Sequence, residues 1–451
     1  MKNLLKLAVL LFTTATFAQA GHIMQGVGSV NMSMGGAATA QPIDISGALQ
    51  WNPASISTFD NKIMNFDLGI FFSSPELSSS MPANMMWQGS PGTSGITQDD
   101  RGVSPMPALA MVWGNEDSKH TFGVSAFGIS GFGVTFPEEA NVPMLANGNQ
   151  NTNWDPTNSN VINYPQNLGG FGLLKSDYML LQIGVTWAYE ISDNFSIGIE
   201  PTINYGALEL APNPTASPTA AGYGISDKAS AIGFGGQVGL FYESDGGFKL
   251  GASYKTTQSF GDLEFENTHL DNASTTNSFN MDYPAILSFG TGYSNETIDL
   301  ALDYRMVDYE NTNGFADKGW TQTGSVAGFG WKNINIISVG LQYKGIEKLP
   351  LRFGYTYSSN PIDEELAFFS TPATAIIANA FQLGFGYHFN DNLTLNGVYH
   401  HGSSDGKTEG QILNPMMASA SNPYGAIPGS SVGYEMTTDM IMLGISYTFS
   451  K

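Results

Sequence analysis

Fourteen stretches of this 451-residue chain alternate apolar and polar residues, and the gaps between them run long and short in turn. Alternation with a period of two is the mark of a strand with one apolar face. The stretches fall at 63–74, 107–116, 120–134, 178–191, 195–210, 231–244, 248–261, 285–295, 298–311, 335–345, 349–361, 378–389, 393–402 and 434–449. In the ninth, Ile298, Leu300, Leu302, Tyr304 and Met306 share one face, and Asp299, Asp303 and Arg305 share the other. In the twelfth, Phe381, Leu383, Phe385, Tyr387 and Phe389 oppose Gln382, Gly384, Gly386 and His388. Tight turns are expected at 116–119, 192–194, 245–247, 295–297, 345–348 and 390–392, all rich in Asn, Asp, Ser, Gly and Lys. The other connections are long, among them 135–177, 211–230, 312–334 and 403–433.

Neighbour-to-neighbour strands with alternating short turns and long loops describe an up-and-down barrel with an outer-membrane orientation. A soluble sandwich also carries apolar stripes on its inner faces. Two features favour the membrane. Aromatics sit near strand ends, where interfacial girdles form, and the opposite faces are polar but sparingly charged. The expected fold is all-β: a 14-stranded antiparallel transmembrane β-barrel, residues 63–451, in the outer membrane of a Gram-negative bacterium.

Residues 1–20 read as a secretory signal. Lys2 and Lys6 begin it, 7–12 supply most of the apolar run, and Ala18-Gln19-Ala20 offers a cleavage site. No later segment approaches eighteen uninterrupted apolar residues, so insertion must be through strands. The chain has no cysteine, which excludes disulfides and a lipid anchor at a processed cysteine. Its formal charge of −22 argues against nucleic acid as a partner. Acidic pairs such as Asp99-Asp100 and Glu138-Glu139 fall in loops, as solvated surface or as divalent-cation bridges to anionic lipopolysaccharide.

Enzyme signatures are missing: no His-Glu-x-x-His, Gly-x-Ser-x-Gly or Walker-type loop occurs. No cofactor is expected and no metal site, although His388, His400 and His401 lie on adjacent strands. The loops carry hydrophobes without strand period, notably Met85-Met86-Trp87, Pro143-Met144-Leu145, Phe368-Phe369 and Met416-Met417. These suit a binding surface for apolar ligands of varied shape. Cations are scarce. Arg101 is in a loop, while Arg305 and Arg352 face the lumen as candidate substrate contacts beside Trp87, Phe368 and Phe369. Asp303, two residues from Arg305 on one face, favours an ion pair.

Residues 21–62 do not follow the barrel rhythm. They are small, poorly charged, and rich in Gly and Ala. Inside the lumen they would plug a hole that fourteen strands leave open; a periplasmic tail is the other placement. Met34-Gly35-Gly36-Ala37, Asp44, Gly47 and Asn52-Pro53-Ala54 resemble the N-terminal hatch of FadL-type long-chain fatty-acid transporters, a group that includes aromatic-hydrocarbon importers. The likeness continues at Tyr283-Pro284-Ala285, at Leu351-Arg352-Phe353-Gly354-Tyr355, and over 381–392.

That resemblance implies a monomeric barrel closed by the hatch and importing hydrophobic molecules by diffusion. For Arg352 it implies a role in pinning the hatch. It also implies a kinked third strand that opens the wall sideways, here at Gly128, Ser130 and Gly131. The long-chain fatty acid is the expected substrate; an aromatic-hydrocarbon importer and a general porin for small hydrophilic solutes are the alternatives.

Overall fold

A computed structural model describes residues 21–450, so the expected leader, residues 1–20, lies outside the described residues. Fourteen strands close one antiparallel barrel: β1 (Lys62–Met81), β2 (Val103–Trp113), β3 (His120–Phe136), β4 (Leu174–Ser192), β5 (Phe195–Ala211), β6 (Ala229–Glu243), β7 (Phe248–Lys255), β8 (Ala285–Ser294), β9 (Ile298–Asp308), β10 (Ile334–Tyr343), β11 (Leu351–Ser358), β12 (Ile377–His388), β13 (Leu393–Ser404) and β14 (Ser431–Thr448). Each pairs with its sequence neighbours, and β14 returns to β1 with Ile63 opposite Thr448 and Ser80 opposite Ser431. Closure gives every strand two neighbours, as a lipid environment demands, although β2 and β3 pair over only part of their length.

The faces follow the alternation. Leu300, Leu302, Tyr304 and Met306 of β9 are exposed to the outside, whereas Asp303 and Arg305 are buried inside. Tyr242, Tyr293, Tyr343, Tyr387 and Tyr447 are also exposed, and they end their strands on the short-turn side as a girdle.

Strand ends differ from the sequence reading for physical reasons. β1 runs on past residue 74 to Met81, where a short strand (Thr93–Gln98) pairs with it beyond the apolar band. Serines there occupy both faces, so the periodic signal fades. β7 stops at Lys255, and Ser259–Phe260 pairs separately with β6. β2 starts at Val103 rather than at residue 107, because Ser104-Pro105-Met106-Pro107 belongs to the strand. Prolines ordinarily argue against strand interiors.

The lumen is filled by the chain before β1. Helices α1 (Gly28–Ser33) and α2 (Ile45–Trp51) and a 3₁₀ turn (Pro53–Thr58) are almost wholly buried there. Neither helix could persist alone at such length. Packing against the wall supplies the stability: α1 touches β11, β12, β13 and β14, and the 3₁₀ turn touches β4, β5 and β6.

Candidate functional site: a plugged lumen beside an interrupted wall

The hatch is anchored by charge on one side. Asp303 Oδ2 accepts from Ala38 N at 2.9 Å, Thr39 N at 2.9 Å and Thr39 Oγ1 at 2.7 Å. Arg305 donates to the same oxygen at 2.7 Å and to the Gly36 carbonyl at 2.6 Å, with its guanidinium 3.7 Å above the Trp51 ring. Both side chains are fully buried, so the pair is strong only while complete. Asp44 caps α2 through the N–H groups of Ser46 and Gly47, and Asn65 of β1 donates to it. Gly47 packs flat against Asn31.

Backbone contact anchors the other side. Asn52 donates to the Thr39 carbonyl at 2.7 Å and to Leu240 of β6 at 3.0 Å, while its side-chain oxygen accepts from Ala54 N. Pro53 and Ala54 lie so close to Gly198 that a Cβ there would overlap them, and a Cβ at Gly239 would overlap the Asn52 side chain.

The wall is interrupted at β3. Its pairing with β4 slips between Gly128 and Ser130, leaving Ile129 as the extra residue of a bulge. On the other side, the β2–β3 ladder runs only from Trp113 opposite Phe122 to Ala108 opposite Phe127. Above that point β3 is met by the hatch: Met24 N donates to the Ile129 carbonyl at 3.0 Å, and Gly131 N and Ser130 Oγ donate to the His22 carbonyl. Farther out, Asp100 N donates to the Thr135 carbonyl, and Arg101 pairs with Asp177 at 2.6 Å.

His22 sits in an aromatic cage. Phe315 lies 4.5 Å from it between ring centroids and Tyr309 5.4 Å, with Tyr283, Tyr178 and Trp331 around them. Its Nδ1 is 2.7 Å from the Tyr309 hydroxyl. Burial pushes its pKa down to about 3, so the ring is neutral. Its Nε2 and the Tyr283 hydroxyl are buried polar atoms without a protein partner among the described residues.

The long loops form a narrow apolar cleft with a cavity volume of ≈ 30 Å³. Phe171, Tyr223, Trp320, Val326, Phe368 and Phe369 line it, with no charged side chain in the lining. Trp331 Nε1 donates to Ser370, so the turn that carries Phe368 and Phe369 also braces the cage.

Residues 149–449 match the family model described as outer membrane protein transport protein (OMPP1/FadL/TodX). The chain belongs to that family. No curated protein matches it in sequence. Solved structures similar to it include the toluene transporter TodX of P. putida, at 17% identity and TM-score 0.65, covering 95% of this chain and 99% of that one. A Pseudomonas aeruginosa FadL homologue gives 15% and 0.71, covering 96% and 100%. The Ralstonia pickettii toluene transporter TbuX gives 16% and 0.61, covering 94% and 99%. At such identities the structures establish the fold, and the family establishes an outer-membrane channel for hydrophobic compounds.

Within this FadL/TodX fold the sequence-derived candidates separate. Phe368 and Phe369 meet in the outer cleft, whereas Trp87 stands outside its lining, 5.9 Å from Trp154. Arg305 faces the hatch. Arg352 donates to Gln342 and Asn396 in the wall and sits near enough to Asp44 to act on it electrostatically. Neither arginine lines the cleft. His400 bonds to Gln382, His401 to Asp439 and His388 to Thr394, and no cluster fit to hold a metal occurs among the described residues.

Several contributors carried weak sequence signals. Asp303 looked like Arg305's partner alone, because its hatch donors are some 265 positions away in sequence. His22 is an isolated histidine after the leader, Tyr223 is a single aromatic in a polar loop, and Trp320 does not stand out from Phe315, Phe329 and Trp331 in its own loop.

Proposed function

We propose that this chain takes up hydrophobic molecules by passive diffusion, long-chain fatty acids and aromatic hydrocarbons being the two candidate classes. One observation carries the reading: a lumen filled by the hatch stands beside a wall whose β2–β3 pairing stops at Ala108 and Phe127. A hydrophilic solute would need an aqueous lumen, which argues against the porin alternative. An apolar solute gains about 0.8 kcal/mol per methylene on leaving water. It would enter the outer cleft, pass the aromatic cage as residues 22–24 shift, and leave between β2 and β3 beside Gly128, Ser130 and Gly131. Asp44, Gly47 and Asn52-Pro53-Ala54 hold the hatch during passage, and Arg305 and Arg352 serve the hatch rather than a head group.

The uncharged cleft favours the aromatic-hydrocarbon reading at the first step. A carboxylate entering it would lose water without gaining a cation. Displacement of a fluorescent fatty acid by oleate and by toluene, on the purified barrel and on Trp320→Ala/Phe369→Ala, tests this. Loss of the two rings should weaken toluene binding roughly tenfold by removing buried aromatic area. Equal displacement curves for parent and variant would remove the cleft from the pathway.

A further inference from the structure

β2 carries Pro105 and Pro107 within its run, in the alternate series of Val103, Leu109 and Trp113, with Pro105 half-buried and Pro107 buried. A proline cannot donate to a ladder and is normally confined to an edge. Yet β2 pairs with β1 without interruption from Trp113 opposite Lys62 to Val103 opposite Phe72. Along a strand, backbone groups point alternately to the two neighbours. The continuous β1 ladder therefore requires that residues 105 and 107 direct their nitrogens the other way, toward β3.

The β2–β3 ladder ends where this matters. Leu109, Met111 and Trp113 share that direction, opposite Ala126, Val124 and Phe122. The next residue in the series is Pro107, opposite Gly128, and no ladder pair is formed there. The one after it is Pro105.

We propose that Pro105 and Pro107 hold the wall open by removing the two N–H donors with which β2 would zip onto β3. The bulge at Ile129 turns β3 out of register, and the prolines disarm the facing strand. The edge of β3 is then left to Met24 and His22, which occupy it at Ile129 and Gly131. This makes the two prolines positioning residues for the lateral exit, and the inference rests on the lateral route proposed above.

The test restores the donors in the full-length barrel in lipid nanodiscs, as Pro105→Val/Pro107→Val and, should the pair impair folding, as Pro107→Val alone. Heat-modifiable gel mobility checks barrel closure. Amide hydrogen exchange is read at the restored positions and uptake of a hydrophobic probe is read in parallel. The restored amides should exchange as slowly as those of Leu109 and Met111, within roughly tenfold, and uptake should fall severalfold. Exchange at the rate of an unpaired edge amide, in both variants, overturns the proposal whatever uptake does. Slow exchange with parental uptake upholds the role of the prolines and refutes the lateral route itself.

Discussion

Asp303→Asn should release the hatch while leaving the barrel closed. In the parent, one carboxylate oxygen accepts two hatch amides, the Thr39 hydroxyl and the Arg305 guanidinium. Asparagine keeps the shape but loses the charge, and its NH₂ group would face donors. Arg305 would then stand buried above Trp51 with only the Gly36 carbonyl and Ser338 as partners. Removing one member of a buried pair costs about 3–5 kcal/mol. Nearly all of that cost falls on docking, because β9 keeps its backbone ladders with β8 and β10. A docking equilibrium weakened by that amount shifts by a factor of roughly 10² to 10⁴. Planar-bilayer recordings should show ion-conducting openings that the parent lacks, and protease should cut residues 21–60 faster at unchanged heat-modifiable mobility. Adding Arg305→Met removes the stranded charge and should recover part of the loss. A silent, protease-resistant Asp303→Asn barrel would refute the idea that this carboxylate anchors the hatch.

Two further outcomes are expected. His22 is depressed to about 3 when docked, against about 6.5 when free. Docking of residues 22–24 is therefore at full strength above about pH 6.5 and is lost as pH falls toward the docked value, by roughly thirtyfold, ~2 kcal/mol, at pH 5. Exchange at the Gly131 amide, corrected for intrinsic rate, should accelerate accordingly, and His22→Phe should abolish the pH dependence; a flat parental profile would count against it. Gly354→Ala places a methyl group into the Gly35 backbone, which should cost about 1–3 kcal/mol of hatch docking. Faster proteolysis of residues 21–60 with normal barrel yield is the expected readout, and parental resistance is the contrary one.

The strands were legible because lipid and lumen impose opposite chemistry on alternate residues. Ile441, Leu443 and Ile445 of β14 needed no tertiary information to be assigned outward, and they are exposed there. Legibility failed where that contrast ends. Ser78, Ser79 and Ser80 of β1 are strand residues with polar side chains on both faces. Ser104–Pro107 was hidden by the rule that prolines leave strands, a rule obeyed here only on the β3 side. At the site, Phe368-Phe369 announced itself as an apolar pair within a polar loop, whereas the cleft's other walls come from loops distant in sequence. Trp87 gave the same kind of signal as Phe368 and lies elsewhere, because composition marks a surface without saying which loops converge.

The two ends of the hatch are held by different physics, and this decides which part can yield to a substrate. From Ser33 to Ala54 the plug is fixed by a buried charge, by Asn52 bridging to the wall, and by backbone laid against glycines such as Gly354 and Gly198. Undocking that part strands Arg305 and opens voids along the wall, both of which are expensive. Residues 22–24 make only neutral hydrogen bonds, to Tyr309 and to the outer edge of β3. Each such bond is worth about 0.5–1.5 kcal/mol net. An apolar ligand pressing into the cage can offset that with a few buried methylenes, at about 0.8 kcal/mol each. Acid and Asp303→Asn therefore act on separable parts. Acid should loosen the contact at Gly131 without producing ion conductance, whereas loss of the carboxylate should produce both. On the lateral route proposed above, a hydrophobic solute needs only the first, since the seam lies at the level of Gly131 and Pro105.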